Sequence, residues 1–151
     1  MKFTDKAITK TKSFNCNAKT MWHKWSTHEG LKTFFGSDNK IELNPGGAFE
    51  IYFMMEAPVG LRGSERCKIL CYIPEKMISF SWNAPPNIPY VRNHEYQTPV
   101  TVLFEEKEKS KILVTIFHHG WPEGKEWDES YKYFDIAWEQ VLNSLEKSLK
   151  Q

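Results

Sequence analysis

The chain has few cysteines, no long apolar run and no dominant charge. Three cysteines in 151 residues, an odd number without the regular spacing of a secreted scaffold, leave no disulfide framework to propose and fit a reducing compartment, the cytoplasm. The opening MKFTDKAITKTKSF lacks the apolar core of about 7 to 15 residues that a signal peptide needs. No segment offers the roughly 18 apolar residues that span a bilayer, so no membrane partner is expected. Twenty Lys+Arg against 19 Asp+Glu leave a formal charge of +1, too small a field to recruit nucleic acid. The basic pair Lys10 and Lys12 reads as a solvated strand face. PGGAF lacks the Lys-Ser/Thr of a phosphate loop, and there is no GxSxG elbow or Cys-His signature for a nucleophile. Repeats, low-complexity tracts and linkers are missing too, which predicts one domain over residues 1–151, large enough for a core of its own.

What is abundant is aromatic surface: six Trp, six Tyr and ten Phe, 15% of the chain. Its placement follows from periodicity. AITKTKSFNC (7–16) has the β-rich composition of a first strand. Asn17 can cap a short helix through Trp25, and Ser26 with Glu29 three residues later reads as a capping box for a second, ended by Gly36. Strands are then expected at 41–43, 48–55, 64–73, 77–82, 98–106 and 112–119, with turns at PGG, IPEK and EEKEKSK. Prolines 85, 86 and 89, with Pro99 just beyond, keep 83–97 out of a central strand. From about Glu126 to Leu149, Tyr131, Phe134, Trp138, Val141, Leu142, Leu145 and Leu149 recur at the spacing of an amphipathic helix, roughly 35 Å long.

Alternation gives side-chain direction. Placing Arg66 and Lys68 in water turns Glu65, Cys67, Ile69, Cys71 and Ile73 inward. The same rule groups Ile78, Phe80 and Trp82, then Val114, Ile116 and His118, then Phe49, Ile51, Phe53 and Met55. These faces would meet Tyr131, Phe134 and Trp138 on the helix. Apolar walls with sparse polar groups suit a small-molecule site; the same residues would also suit a filled core, and periodicity cannot measure a void.

Several stretches together resemble a known family. MWHKWSTHEGLKTFFG, the hairpin IELNPGGAFEIYF, IPEKMISFSW and VTIFHHGW, in that order, are similar to the homologues of the C-terminal domain of the activator of the heat-shock-protein-90 ATPase, within the helix-grip (START-like, SRPBCC) superfamily. The likeness covers nearly the whole chain. It implies an α+β helix-grip fold: a curved antiparallel sheet around a long C-terminal helix, two short helices after the first strand, and in many relatives a cavity for a hydrophobic molecule. Phe34 and Phe35 stand where the family usually has a Trp pair, and 83–97 looks longer than usual.

The expected site is therefore a cavity between sheet and helix lined by Phe34, Phe49, Ile51, Phe53, Cys67, Ile69, Phe80, Trp82, Ile116, Tyr131, Phe134 and Trp138, with Glu65 and His118 orienting a polar end. The expected ligand is small and apolar or aromatic, with no cofactor and no catalysis. Cys67, Cys71, His118 and His119 are possible metal ligands by type. However, four residues along a strand span about 13 Å, and adjacent histidines point to opposite faces, so no metal site is expected. Two alternatives stay open. Glu65 and His118 could serve as an acid–base pair in a cyclase- or hydrolase-like enzyme, or the chain could co-regulate the heat-shock protein 90 chaperone. A homodimer is possible.

Overall fold

The apolar stripe of the C-terminal segment needs a surface to cover, and the strands supply it. A computed structural model describes residues 1–150. In chain order the elements are β1 (Ile8–Phe14), α1 (Ala18–Ser26), α2 (His28–Lys32), β2 (Asp38–Ile41), β3 (Phe49–Tyr52), β4 (Ile69–Ile73), β5 (Met77–Trp82), α3 (Pro89–Arg92), β6 (Thr98–Glu108), β7 (Lys111–His118) and α4 (Lys125–Ser148). Five strands form a curved antiparallel sheet in the order β1-β7-β6-β5-β4, and β2-β3 form a separate hairpin. Isolated bridges, Ala48 to Lys68 and Tyr52 to Gly63, join the hairpin to the segment leading into β4. This is the expected α+β helix-grip arrangement.

Helix α4 buries Trp127, Ser130, Phe134, Trp138, Leu142 and Leu145, the stripe that the three-four spacing predicts. Its flank is held by charge. Lys6 meets Asp128 at 2.7 Å, Lys10 meets Asp135 at 3.0 Å and Glu139 at 3.3 Å, and Lys12 meets Glu146 at 3.5 Å. Lys10 and Lys12 thus face the helix instead of forming a plain solvated stripe. Such exposed pairs are individually weak; their regular spacing follows the alignment of β1 along α4.

Three local expectations are corrected by tertiary geometry. The second short helix is capped by Thr27, whose hydroxyl accepts from the Gly30 amide at 2.9 Å. Ser26 instead ends α1, donating to the Trp22 carbonyl. Gly30 allows the tight turn between the helices, since a Cβ there would lie 2.1 Å from the His23 carbonyl oxygen. The first hairpin strand lies at Asp38–Ile41, three residues earlier than expected. The NPGG connection is longer than a tight turn and closes with Glu42 N–H to Ala48 O at 2.9 Å, so it consumes Glu42 and Leu43.

The third correction concerns 64–73. Residues 64–68 form a turn, with Arg66 at φ 73°, and β4 begins only at Ile69. There Ile69 pairs with Phe80 but Cys71 pairs with Ser79, so Leu70 is an extra residue, a β-bulge that reverses the alternation beyond it. Cys67 and Ile69 point inward as expected, but Cys71 and Ile73 are exposed while Tyr72 turns toward Trp22, ring centroids 6.0 Å apart. Strand β3 likewise stops at Tyr52, leaving Met55 exposed and Phe53 half-exposed.

Because the cap is at Thr27, Thr27→Ala should lower stability by about 1 kcal/mol, while Glu29→Ala should leave the urea midpoint unchanged. Equal losses in the two variants would restore the capping box read from the sequence.

Candidate functional site

The interior under the middle of the sheet is filled by its own side chains. Phe49 stacks on Phe80 at 4.2 Å, and Phe34 meets Trp25 edge-on at 5.0 Å. Phe34, Phe49, Ile51, Cys67, Ile69, Phe80 and Ile116 are all buried in this packed cluster. Burial pushes the Cys67 thiol up to about 12, so it stays protonated and behaves as a small apolar group. These seven residues do not line the free space, which lies at one end, where the 53–64 segment leaves the sheet.

That space is a cleft of about 270 Å³ between α4, the 53–64 segment and the chain just after β5. Trp82, Phe134 and Trp138 form its inner wall and Phe53 its mouth, so four of the expected residues come together there. Trp82 and Trp138 lie 5.5 Å apart, and Phe35 backs them at 5.5 and 5.9 Å. Ala137 and Val141 on α4 and Pro85 and Pro86 after β5 complete the apolar lining. The mouth opens past Met54, Leu61 and Tyr133, all exposed. Tyr131 lies elsewhere, edge-on to Trp121 at 5.3 Å.

Neither expected polar orienter reaches the cleft. His118 is fully buried on β7, with its ring nitrogens taken up on both sides. The Trp138 indole N–H donates to Nδ1 at 3.0 Å. An indole nitrogen can only donate, so Nδ1 is unprotonated and Nε2 carries the hydrogen, which goes to the Thr98 hydroxyl at 2.7 Å. Burial, with His119 beside it, holds the imidazole well below its ordinary pKa. It is neutral and enclosed, without the access to substrate that acid–base work needs.

Glu65 is locked into the loop. Its carboxylate accepts the Arg62 and Gly63 amides at 2.9 and 2.7 Å and the Arg92 guanidinium at 3.1 Å. Burial pushes the carboxyl up, but those amide donors, with Arg92, outweigh it and hold it below its usual value. Cys67 is buried while Cys71 is exposed. Among the described residues no three His, Cys, Asp or Glu side chains are grouped to share an ion.

The residue missed by sequence reasoning is Arg92. It sits on α3, in the proline-rich stretch expected to be irregular, and is only 3% exposed. Its guanidinium donates to Ala84 O and Gly60 O, both at 2.7 Å, and to Glu65, tying three chain segments together at the cleft. A lone arginine among prolines was the available signal. Its partners, 27 and 32 residues away in sequence, were not readable from spacing.

A family profile described as Activator of Hsp90 ATPase homolog 1-like protein matches residues 15–150. Solved structures give the same fold at low identity. A protein of Mesorhizobium loti is 16% identical at a TM-score of 0.75, with 96% of this chain and 97% of that one covered. An HSP90 activator from Plasmodium falciparum is 17% identical at 0.73, covering 95% and 96%. The Aha1 dimer from Colwellia psychrerythraea is 18% identical at 0.71, also covering 95% and 96%. No curated protein matches. No helix of the described residues is long and apolar enough to cross a membrane.

The neutral, buried His118 makes a pH prediction. Its folded pKa lies below the unfolded value of about 6.5, so the unfolded chain binds the extra proton. Its contribution to stability is therefore complete above about pH 6.5 and declines as pH falls below that, by up to about tenfold in the folding equilibrium constant per pH unit. Urea titrations at about pH 7.5 and pH 5.5 should show a steeper loss for the wild type than for His118→Gln. Identical losses would place the histidine in a solvated setting.

Proposed function

The chain belongs to the Activator of Hsp90 ATPase homolog 1-like family, and from that premise we propose that it binds a small apolar or aromatic molecule in the cleft between α4 and residues 53–64, without transforming it. The observation that carries this reading is the pair of tryptophans, Trp82 and Trp138, forming the inner wall of a 270 Å³ cleft that the surrounding side chains leave unfilled. Cleft sites for small molecules start at about 300 Å³, so the ligand is of one or two rings. Phe53, Trp82, Phe134 and Trp138 supply its contact area. The buried residues Phe34, Phe49, Ile51, Cys67, Ile69, Phe80 and Ile116 support those walls from behind, and Glu65 and His118 hold the frame. The activities named for relatives in other organisms belong to those proteins.

A second reading, a protein partner, is favoured by the rim. Phe53, Met54, Met55, Val59 and Leu61 are all exposed within nine residues, Val59 by 83%, and apolar patches of this kind mark interaction surfaces. The Aha1 dimer and the HSP90 activator among the similar structures suggest either a second copy or the heat-shock protein 90 chaperone as occupant. Sedimentation at micromolar concentration, alone and with that chaperone, separates the two; a monomer that does not shift removes this reading.

A two-ring probe buries about 200 Å² of apolar surface, which at about 25 cal/mol/Å² places its Kd between roughly 10 µM and 1 mM. 2-Naphthol should quench Trp82 and Trp138 in that range. Ala137→Trp, which fills the cleft from the helix side, should weaken binding by about tenfold or more. A flat titration of the wild type across varied one- and two-ring compounds would contradict the proposal.

A further inference from the structure

The cleft is apolar but not neutral, and its polar floor points to the chemistry of the ligand. Two guanidinium side chains line it, Arg62 and Arg92, and no carboxylate does. Arg92 has five N–H donors. Among the described residues three of them find acceptors, Ala84 O, Gly60 O and Glu65, leaving Nε–H and one Nη1–H with none. Ser64, 1% exposed, accepts the Ile51 amide at 2.7 Å, and its own hydroxyl hydrogen has no acceptor among the described residues. Both residues line the cleft; the enclosed side-chain atoms without a partner are Trp25 Nε1 and Ser130 Oγ, so Arg92 Nε–H stays within reach of solvent, and a ligand's acceptor would take the place of water on it.

Charge narrows the acceptor further. Glu65 is held ionised by two amides, so it balances one of the two arginines. Arg62 spends its Nε–H on Ala57 O at 2.8 Å and keeps its charge, leaving the cleft with an excess of one positive charge. A cationic ligand is repelled, and a dianion such as a phosphate monoester brings more charge than the site offsets. A single carboxylate matches, and charge-assisted hydrogen bonds are about twice as strong as neutral ones.

We propose that the ligand is a hydrophobic monocarboxylate of one or two rings, its rings against Trp82 and Trp138 and its carboxylate on the free donors of Arg92 and Ser64. This rests on the ligand-binding reading above and adds the identity of the polar end. It assigns Arg92 two roles: holding the loop through three of its donors, and recognising the ligand through the rest.

The test uses the full chain and a matched series: 2-naphthoate, 2-naphthamide and 2-naphthylmethylamine, titrated by calorimetry and tryptophan fluorescence at about pH 7.5. The acid should bind about tenfold tighter than the amide, and the amine more weakly than either. Arg62→Gln should weaken the acid by about threefold and leave the amide unchanged. Arg92→Gln should abolish the preference for the acid if circular dichroism shows it folded; the wild-type series needs no variant and decides the matter if it is not. An amide that binds as tightly as the acid overturns the carboxylate assignment and leaves the small-molecule reading in place. If no member of the series binds, both are lost.

Discussion

The hydrogen bond from the Trp138 indole to His118 Nδ1 is the contact on which the rest of the structure depends. It is the only direction in which that pair can bond, since indole has no acceptor, and it fixes every hydrogen that follows. His118 Nε2–H must donate to Thr98 Oγ1, and the Thr98 hydroxyl is then left to donate to the Trp82 carbonyl at 3.4 Å. A single polar chain thus runs from α4 through β7 and β6 to β5, inside an otherwise apolar core. Leaving any buried member unpaired is costly, so the chain selects one rotation and one register of α4 over the sheet. Both tryptophans of the cleft wall sit at its ends. Trp121 adds a second tie, its indole N–H donating to the His118 carbonyl at 2.9 Å.

Arg92 is the corresponding knot at the other side of the cleft. With Glu65 and the Gly60 and Ala84 carbonyls it holds the 53–64 segment away from α4, and Arg66 Nη2 reaches back to the Arg92 carbonyl at 2.6 Å. A buried ion pair of this kind contributes little net stability, because desolvation offsets its attraction. Its value here is geometric. The loop stands at a fixed distance from the helix, and the intervening space stays unfilled although the central interior a few residues away is packed aromatic on aromatic.

Much of this was legible in the sequence. The order of elements, the α4 stripe and the Asn17 cap, whose side chain accepts from the Thr20 amide at 2.8 Å, follow from local rules that neighbouring residues satisfy on their own. Inward faces came out correctly wherever a strand ran unbroken, as for Phe80 and Trp82 or Ile116 and His118. Alternation fails where the backbone inserts a residue, and nothing in ERCKILCYI announces that Leu70 is a bulge. The site was less legible. The inward placement of Trp82, Phe134 and Trp138 is readable because they belong to regular elements, while the positions of Arg92, Ala137 and the Pro85–Pro86 wall at the cleft depend on contacts that spacing does not encode. Glu65 and His118, expected to orient a polar end of the ligand, are instead bonded within the frame, Glu65 to the loop and His118 to Trp138 and Thr98.

The family gives the fold, and within it this chain places its free volume at the edge of the grip, between two buried polar knots. The position of α4 over the sheet depends on the state of His118, and nitrogen NMR of the histidine-labelled protein reads it directly from about pH 8 to about pH 5. A neutral ring with hydrogen on Nε2, bare Nδ1, and no titration of that signal across the range is the expected result. A ring protonated at Nδ1, or one that titrates near its ordinary value of about 6.5, would contradict it.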